Sequence, residues 1–181
     1  MIDLNDPELR KLASNLPPEC DLPNGLRTAA RLVREWQIHV DGLMPGAYVS
    51  LVLAAGDYVM RVPLCEEESG SGYHAQLAFA GRGGVEVIRQ DSSSGSTLMP
   101  RLRPGTMLHE EGLTPLQEVE VCCDLIRRLD IAPIPETPPI EAWYEAFLRV
   151  ESAEAIPDKL LRDAQTLASR LLQTTTDRKL L

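Results

Sequence analysis

Hydrophobic residues recur along the chain with two different periods. In residues 26–36 they return every three or four positions, which predicts an amphipathic helix lying on a core. An earlier helical pattern precedes it, and the prolines of residues 16–24 are expected to break the helix between the two. The period then shortens, and residues 48–53 and 58–64 predict two strands joined by the turn-forming run 54–57.

The remainder of the first hundred residues continues the strand pattern. Residues 66–72 are charged and rich in serine and glycine, which predicts a loop or a weakly formed start of a helix. Residues 85–88 and 97–102 predict two further strands, separated by the turn-forming run 90–96. We therefore expect a small, mostly antiparallel sheet with helices at its margins.

From Thr114 onward the pattern is helical. Thr114, Pro115 and Gln117 form the capping-box signature of a helix start, and that helix is predicted to reach Leu129. Four prolines make residues 131–139 an extended connector. A second helix is marked by Trp143, Phe147 and Val150, and a third by the apolar stripe Leu160, Leu161, Ala164, Leu167, Ala168, Leu171 and Leu172. Lys179, Leu180 and Leu181 resemble the start of a new strand. The predicted fold class is α+β.

Composition narrows the classes of function. The 181 residues carry 18 basic and 27 acidic side chains, a net charge of 18 − 27 = −9, which argues against binding to nucleic acid or to an anionic membrane. The apolar runs are far shorter than the roughly 20 residues of a membrane helix, so we expect a cytoplasmic protein. Four cysteines are too few for a disulfide framework, and adjacent Cys122 and Cys123 are interpreted as buried thiols.

Individual motifs favour structural roles. The glycine run 81–84 lacks the order of a phosphate-binding loop and predicts a turn before a strand. Three histidines stand apart, without a second ligand at metal-binding spacing, and no metal site is assigned. The glutamates at 66–68 are typical of a solvated surface, and the serines at 92–96 of a flexible loop.

Several strings of residues, taken in order, resemble the aminoglycoside phosphotransferase family, in particular its streptomycin and hydroxyurea kinase branch. They cover nearly the whole chain: Leu32-Val33-Arg34-Glu35-Trp36-Gln37-Ile38, Tyr58-Val59-Met60-Arg61-Val62, Gly81-Arg82-Gly83-Gly84-Val85, Leu98-Met99-Pro100-Arg101-Leu102-Arg103-Pro104-Gly105, and residues 121–129. The resemblance implies a protein-kinase-like fold that transfers the γ-phosphate of ATP, with Mg²⁺, to a hydroxyl of a drug or similar small molecule. It places an N-terminal sheet lobe at 1–103 and part of a helical C-terminal lobe at 104–181.

The resemblance also implies what the 181 residues lack. In the family, a Leu-Leu pair leads into the catalytic loop His-Gly-Asp-x-His-x-x-Asn and later a magnesium-binding aspartate, whereas this sequence ends at Leu181. No residue is left to orient the nucleophile or to hold the metal. The expectation is a chain truncated before the catalytic loop and inactive alone, with no catalytic residue to name.

Four nucleotide-site residues follow from the resemblance. Arg61 stands where the family has the strand lysine that holds the α- and β-phosphates. Met99 stands at the gatekeeper position, so that the Pro100 carbonyl and the Leu102 amide would hold adenine. No acid occurs at residues 73–77, where the family has the helix glutamate that pairs with the lysine, and Glu68 is the nearest candidate. The alternative reading makes residues 98–102 only an edge strand leading to a turn.

Three interpretations remain open from the sequence. The first is a portion of such a kinase that binds nucleotide. The second is a non-catalytic, pseudokinase-like protein that binds a partner or itself through the apolar face of its last helix. The third is an unrelated α+β domain whose matching strings coincide by chance.

Overall fold

The structure is a computed structural model that describes residues 6–66, 68–137, 139–151 and 156–174. Short helical turns at Glu68–Gly72 and Leu108–Glu110 supplement six α-helices in this part of the chain. The helices are α1 (Pro7–Asn15), α2 (Leu22–Trp36), α3 (Tyr73–Phe79), α4 (Pro115–Arg128), α5 (Ile140–Leu148) and α6 (Asp158–Thr174). Residues 179–181, predicted to begin a strand, lie outside the described residues.

Polar side chains cap the helices where the sequence places them. Asp21 Oδ1 accepts a hydrogen bond of 2.8 Å from the backbone N–H of Asn24 and so starts α2 at Leu22. Pro23 therefore lies in the first turn of α2, and its expected role as a helix breaker was wrong, because proline fits a turn whose N–H groups have no intrahelical acceptor. The capping box of α4 is confirmed, since Gln117 Oε1 accepts from the Thr114 N–H at 2.9 Å.

Five antiparallel strands form one sheet in the order β1-β2-β3-β5-β4. The strands are β1 (Gly42–Leu43), β2 (Ser50–Ala55), β3 (Tyr58–Pro63), β4 (Arg89–Asp91) and β5 (Ser96–Pro100). The predicted hairpin is confirmed: β2 and β3 pair from Ala55 opposite Tyr58 to Ser50 opposite Pro63. The central position of β3, between β2 and β5, places Arg61 in the middle of the sheet.

The main core lies between one face of this sheet and the helices α1 and α2. Leu53, Met60 and Val62 are fully buried there. Ala29 and Leu32 of α2 are also fully buried and belong to the same cluster, together with Leu9 and Leu12 of α1. Burial of these apolar side chains stabilises the packing of the helices on the sheet.

One prediction for the first hundred residues is confirmed and two need correction. Of the two alternatives for residues 66–72, the weakly formed start of a helix is confirmed, since the helical turn Glu68–Gly72 continues directly into α3. The strand expected at 85–88 lies instead at Arg89–Asp91, because pairing with β5 begins at Arg89 opposite Leu98. The serine loop at 92–96 is an ordered turn, since Ser96 is fully buried in β5 and Ser94 Oγ donates to Asp91 Oδ2 at 2.6 Å.

The predicted helices after residue 114 are present, and much of their apolar surface is exposed. In α6, Leu161 and Ala168 are buried, whereas Leu160 is 59% exposed. In α4, Leu116 is 69% exposed. No helix in the described ranges has the length and apolar character to cross a membrane. The division at residue 103 stays a prediction.

Candidate functional site

The two faces of the sheet differ in chemistry. Along β3, Met60 and Val62 point into the core with α1 and α2, so alternation turns Val59 and Arg61 to the opposite side. We call that side the second face; it is formed by Val52, Val59, Arg61, Thr97 and Met99, which the strand register places side by side. A permanently charged guanidinium thus stands on an otherwise largely apolar and neutral surface.

Helix α3 packs on the second face through Gln76. Gln76 Oε1 accepts a hydrogen bond of 3.2 Å from Thr97 Oγ1, and its Nε2 contacts the sulfur of Met99. Thr97 is fully buried, and the register places it directly opposite Arg61. The second face is therefore covered in part by α3, next to the position of Arg61.

Gln76 is the residue that the sequence did not reveal. The sequence shows no acid at residues 73–77, and the structure places a neutral amide there that fastens α3 to β5. The side chain of Glu68, the nearest acidic candidate, lies outside the described part of the chain, although its backbone begins the turn before α3. Only the alternation of β5, which turns Thr97 and Met99 to the same side, hints at this contact.

Residues 100–102, which we call the hinge segment, continue from the end of β5. The N–H of Arg101 donates to the carbonyl of Asp57 at 2.7 Å, so the backbone groups of residue 101 face β3. In an extended strand the backbone groups of alternate residues face opposite edges, so those of Pro100 and Leu102 face away from β3. The pairing of β4 with β5 runs only from Ser96 to Leu98, and this edge of the hinge segment extends beyond it.

The four residues named from the sequence therefore fall into two adjacent places. Arg61 and Met99 lie on the second face, on neighbouring strands, while Pro100 and Leu102 offer backbone groups at the sheet edge that follows directly. Arg61 is half-buried, and Leu102 is 65% exposed. A guanidinium suits an anionic group of a ligand, and a backbone carbonyl and N–H suit a planar, polar one.

Away from the second face, a cluster of charged and hydroxyl side chains joins α2 to the turn between β4 and β5. Arg31 Nη2 lies 2.6 Å from Asp91 Oδ2, and Ser93 and Ser94 donate to the same carboxylate. Partial burial disfavours the charged carboxylate, but the hydrogen bonds from Ser94, Arg31 and Ser93 and the charge of Arg31 outweigh it, so the pKa of Asp91 lies below its ordinary value. This cluster fixes the position of the β4–β5 hairpin.

The cysteines differ from the sequence prediction. Cys20, before α2, and Cys65, after β3, form a disulfide with their Cα atoms 4.3 Å apart. Cys122 is exposed and Cys123 is half-buried on α4, so the prediction that both are buried thiols was wrong. The reason is that no residue of α4 is buried, so neither thiol is covered by a core.

The side chains that commonly bind metal ions lie apart from one another. No cluster of three or more histidine, cysteine, aspartate or glutamate side chains occurs in the described part of the chain.

Comparison with known proteins shows the fold. No family model matches the sequence, and a search of curated proteins finds no match. A choline/ethanolamine kinase family protein from Mesorhizobium loti is similar in structure, with a TM-score of 0.53 and 18% identity, over 84% of this chain and 56% of that protein. An aminoglycoside 2'-phosphotransferase-IIIa mutant in complex with GDP matches with a TM-score of 0.44 and 14% identity, over 84% of this chain and 60% of its own. The chain thus spans little more than half the length of these neighbours, and its fold is α+β and protein-kinase-like.

Proposed function

We propose that this chain is the nucleotide-binding part of an ATP-dependent phosphotransferase that acts on a hydroxyl of an aminoglycoside or a similar small molecule. The observation that carries the proposal is the placement of Arg61 and Met99 on one face of a kinase-like sheet, next to the hinge segment. The solved neighbour from Mesorhizobium loti is described as a choline/ethanolamine kinase family protein, which agrees with this class of activity.

The phosphates of ATP are assigned to Arg61. A guanidinium donates several hydrogen bonds in one plane and suits phosphate oxygens, and β3 holds it between β2 and β5 in the most firmly paired part of the sheet. Gln76 keeps α3 against the same face without adding a negative charge.

Adenine is assigned to the backbone of the hinge segment. The Pro100 carbonyl accepts from the exocyclic amino group, and the Leu102 N–H donates to a ring nitrogen. Proline has no N–H, but the assigned contact uses only its carbonyl. Because the backbone supplies both groups, the exposed side chain of Leu102 is free to vary.

Phosphoryl transfer itself is not assigned to these residues. The 181-residue sequence contains no His-Gly-Asp string, and the described residues include no group of three or more histidine, cysteine, aspartate or glutamate side chains that could hold a metal ion. We assign no base for the acceptor hydroxyl to these residues, and Mg²⁺ would arrive bound to the ATP phosphates. We expect this chain alone to bind ATP without transferring its phosphate.

Calorimetric titration with ATP and with adenosine tests the proposal. Arg61→Ala should weaken ATP binding tenfold or more and leave adenosine binding within twofold. The reason is that, of the groups of the nucleotide, only the phosphates are assigned to this side chain. Arg27→Ala, at an exposed position of α2, is the matched control and should bind both ligands like the wild type. Equal ATP affinity of the folded Arg61→Ala and wild-type proteins contradicts the role of Arg61.

The hinge assignment has its own test. Leu102→Pro removes the N–H that is assigned to adenine, whereas Leu102→Ala keeps it. Adenosine binding should be lost in the first variant and weakened much less in the second. Equal loss in both variants would assign the effect to the side chain and refute the backbone contact.

A second candidate is a non-catalytic protein that associates with a second copy of itself. The exposed apolar side chains of α4 favour it, since Leu116, Val119 and Ile126 are 69%, 57% and 49% exposed. Sedimentation at increasing concentration should then show dimers that Val119→Glu abolishes. A chain that stays monomeric at high concentration would refute this candidate.

A further inference from the structure

The Cys20–Cys65 disulfide connects two segments that are distant in sequence, with a separation of 45 residues. One segment is the connection between α1 and α2, and the other follows β3. The N–H of Asp21 donates to the carbonyl of Leu64 at 2.8 Å, so a backbone hydrogen bond lies beside the disulfide. The covalent link thus fixes the exit of the strand that carries Arg61.

Cys65 also lies at the root of α3. Its carbonyl accepts a hydrogen bond of 3.1 Å from the N–H of Ser69, in the turn Glu68–Gly72 that runs without a break into α3. Gln76, one turn into α3, then contacts Thr97 on the second face. A displacement of Cys65 is therefore transmitted through a continuous helical segment to the contact beside Arg61.

The disulfide is accessible to a reductant. Both cysteines are only half-buried. Cys65 lines an open polar groove of about 400 Å³ together with Glu19, Asp21, Glu66, Ser69 and Ser94, among others. Thiol exchange requires access to one sulfur of the disulfide, and the groove gives access to Cys65.

We propose that the Cys20–Cys65 disulfide is a redox-sensitive tether that holds α3 on the second face and thereby favours nucleotide binding. The coupling to nucleotide rests on the proposed function. In the reducing step a thiolate of a dithiol attacks one sulfur, the S–S bond breaks, and the second thiol of the reductant closes its own disulfide. Two electrons and two protons pass to the chain, which then carries two cysteine thiols.

The test uses the full chain carrying Cys122→Ser and Cys123→Ser, so that only Cys20 and Cys65 titrate. Thiol counting under denaturing conditions should find no thiol after treatment with an oxidant such as diamide, and two after treatment with dithiothreitol. Two thiols under both conditions would overturn the tether. Circular dichroism checks that the reduced chain stays folded.

Hydrogen exchange and ATP titration then separate the tether from the nucleotide site. Reduction should speed amide exchange in residues 66–79 at least tenfold and weaken ATP binding at least fivefold, and Cys65→Ser in the same background should match the reduced chain in either redox state. Unchanged exchange in residues 66–79 overturns the tether whatever happens to ATP. Faster exchange with unchanged ATP affinity overturns the coupling. Faster exchange without ATP binding in either state supports the tether and refutes the proposed function.

Discussion

Replacing Gly95 by alanine should destabilise the protein by forcing a methyl group against the turn that leads into α3. Gly95 lies in the turn between β4 and β5 with φ +65°. This left-handed backbone conformation costs free energy for any residue other than glycine. A Cβ there would clash with the carbonyl oxygen of Ser69 and lie 2.7 Å from the Cα of Ser69. These are backbone atoms of the turn that leads into α3, so they cannot rotate away as a side-chain end would.

The two costs of Gly95→Ala can be separated by a control in the same sheet. The left-handed backbone costs about 1–2 kcal/mol for alanine, and forcing atoms into a packed contact costs about 1–3 kcal/mol. Gly95→Ala should therefore lower the free energy of unfolding by about 2–5 kcal/mol. Gly56, in the β2–β3 turn, has φ +62°, and among the described residues, its two chain neighbours aside, no atom lies within 4 Å of the place that an alanine Cβ would take. Gly56→Ala should therefore cost only about 1–2 kcal/mol.

Urea unfolding followed by circular dichroism measures both variants. With slopes of about 1–3 kcal/mol per molar urea, an extra cost of about 1 kcal/mol moves the midpoint by roughly 0.3–1 M. The midpoint of Gly95→Ala should lie below that of Gly56→Ala by at least this amount. Equal midpoints would refute the close approach of the β4–β5 turn to Ser69.

Three further changes test the packing around the site. Asp91→Asn should lower the urea midpoint at pH 7, because the lowered pKa of Asp91 gives stability that is present above the unfolded pKa of about 4. The gap to the wild type should shrink as the pH falls below about 4 and through the lowered pKa of Asp91, and a gap independent of pH contradicts the ion pair with Arg31. Met60→Ala, at a fully buried position, should cost about 2–5 kcal/mol in urea unfolding, and a loss below that range would place Met60 outside the core. Gln76→Ala leaves the buried Thr97 hydroxyl without this acceptor and should cost about 1–3 kcal/mol, a loss that adding Thr97→Val should partly reverse if the two side chains are coupled.

Elements with strong local signals were predicted well from the sequence. The β2–β3 hairpin follows from two apolar runs around a Gly-Asp turn, and α4 begins at a capping box that the structure contains. Each signal lies within a few residues. Local chemistry alone determines these elements.

Features that depend on distant partners were missed. β4 consists of Arg89, Gln90 and Asp91, three polar residues without a strand pattern, and it forms because the tight turn after it pairs it with β5. The disulfide joins residues 45 apart, which spacing cannot reveal. The contact of Gln76 with Thr97 likewise exists only once α3 packs on the sheet.

The candidate site likewise combines residues that the sequence predicted with one that it did not. Arg61, Met99, Pro100 and Leu102 were named from resemblance, and strand alternation then placed Arg61 and Met99 on one face. The neutral residue that fastens α3 beside them, Gln76, had no signal in its own segment, because a glutamine on a helix is ordinarily a surface residue.

The central claim is that the second face and the hinge segment bind a nucleotide, and amide chemical-shift mapping with ATP tests it most directly. In a ¹H–¹⁵N spectrum of the folded chain, the largest shifts on adding ATP should fall on the amides of Arg61, Met99 and Leu102, and should saturate with a single binding constant. Adenosine should reproduce the shift at Leu102 and not the one at Arg61. A folded chain whose spectrum does not change with millimolar ATP, or whose shifts fall on α4 and leave the hinge segment unchanged, would contradict the account.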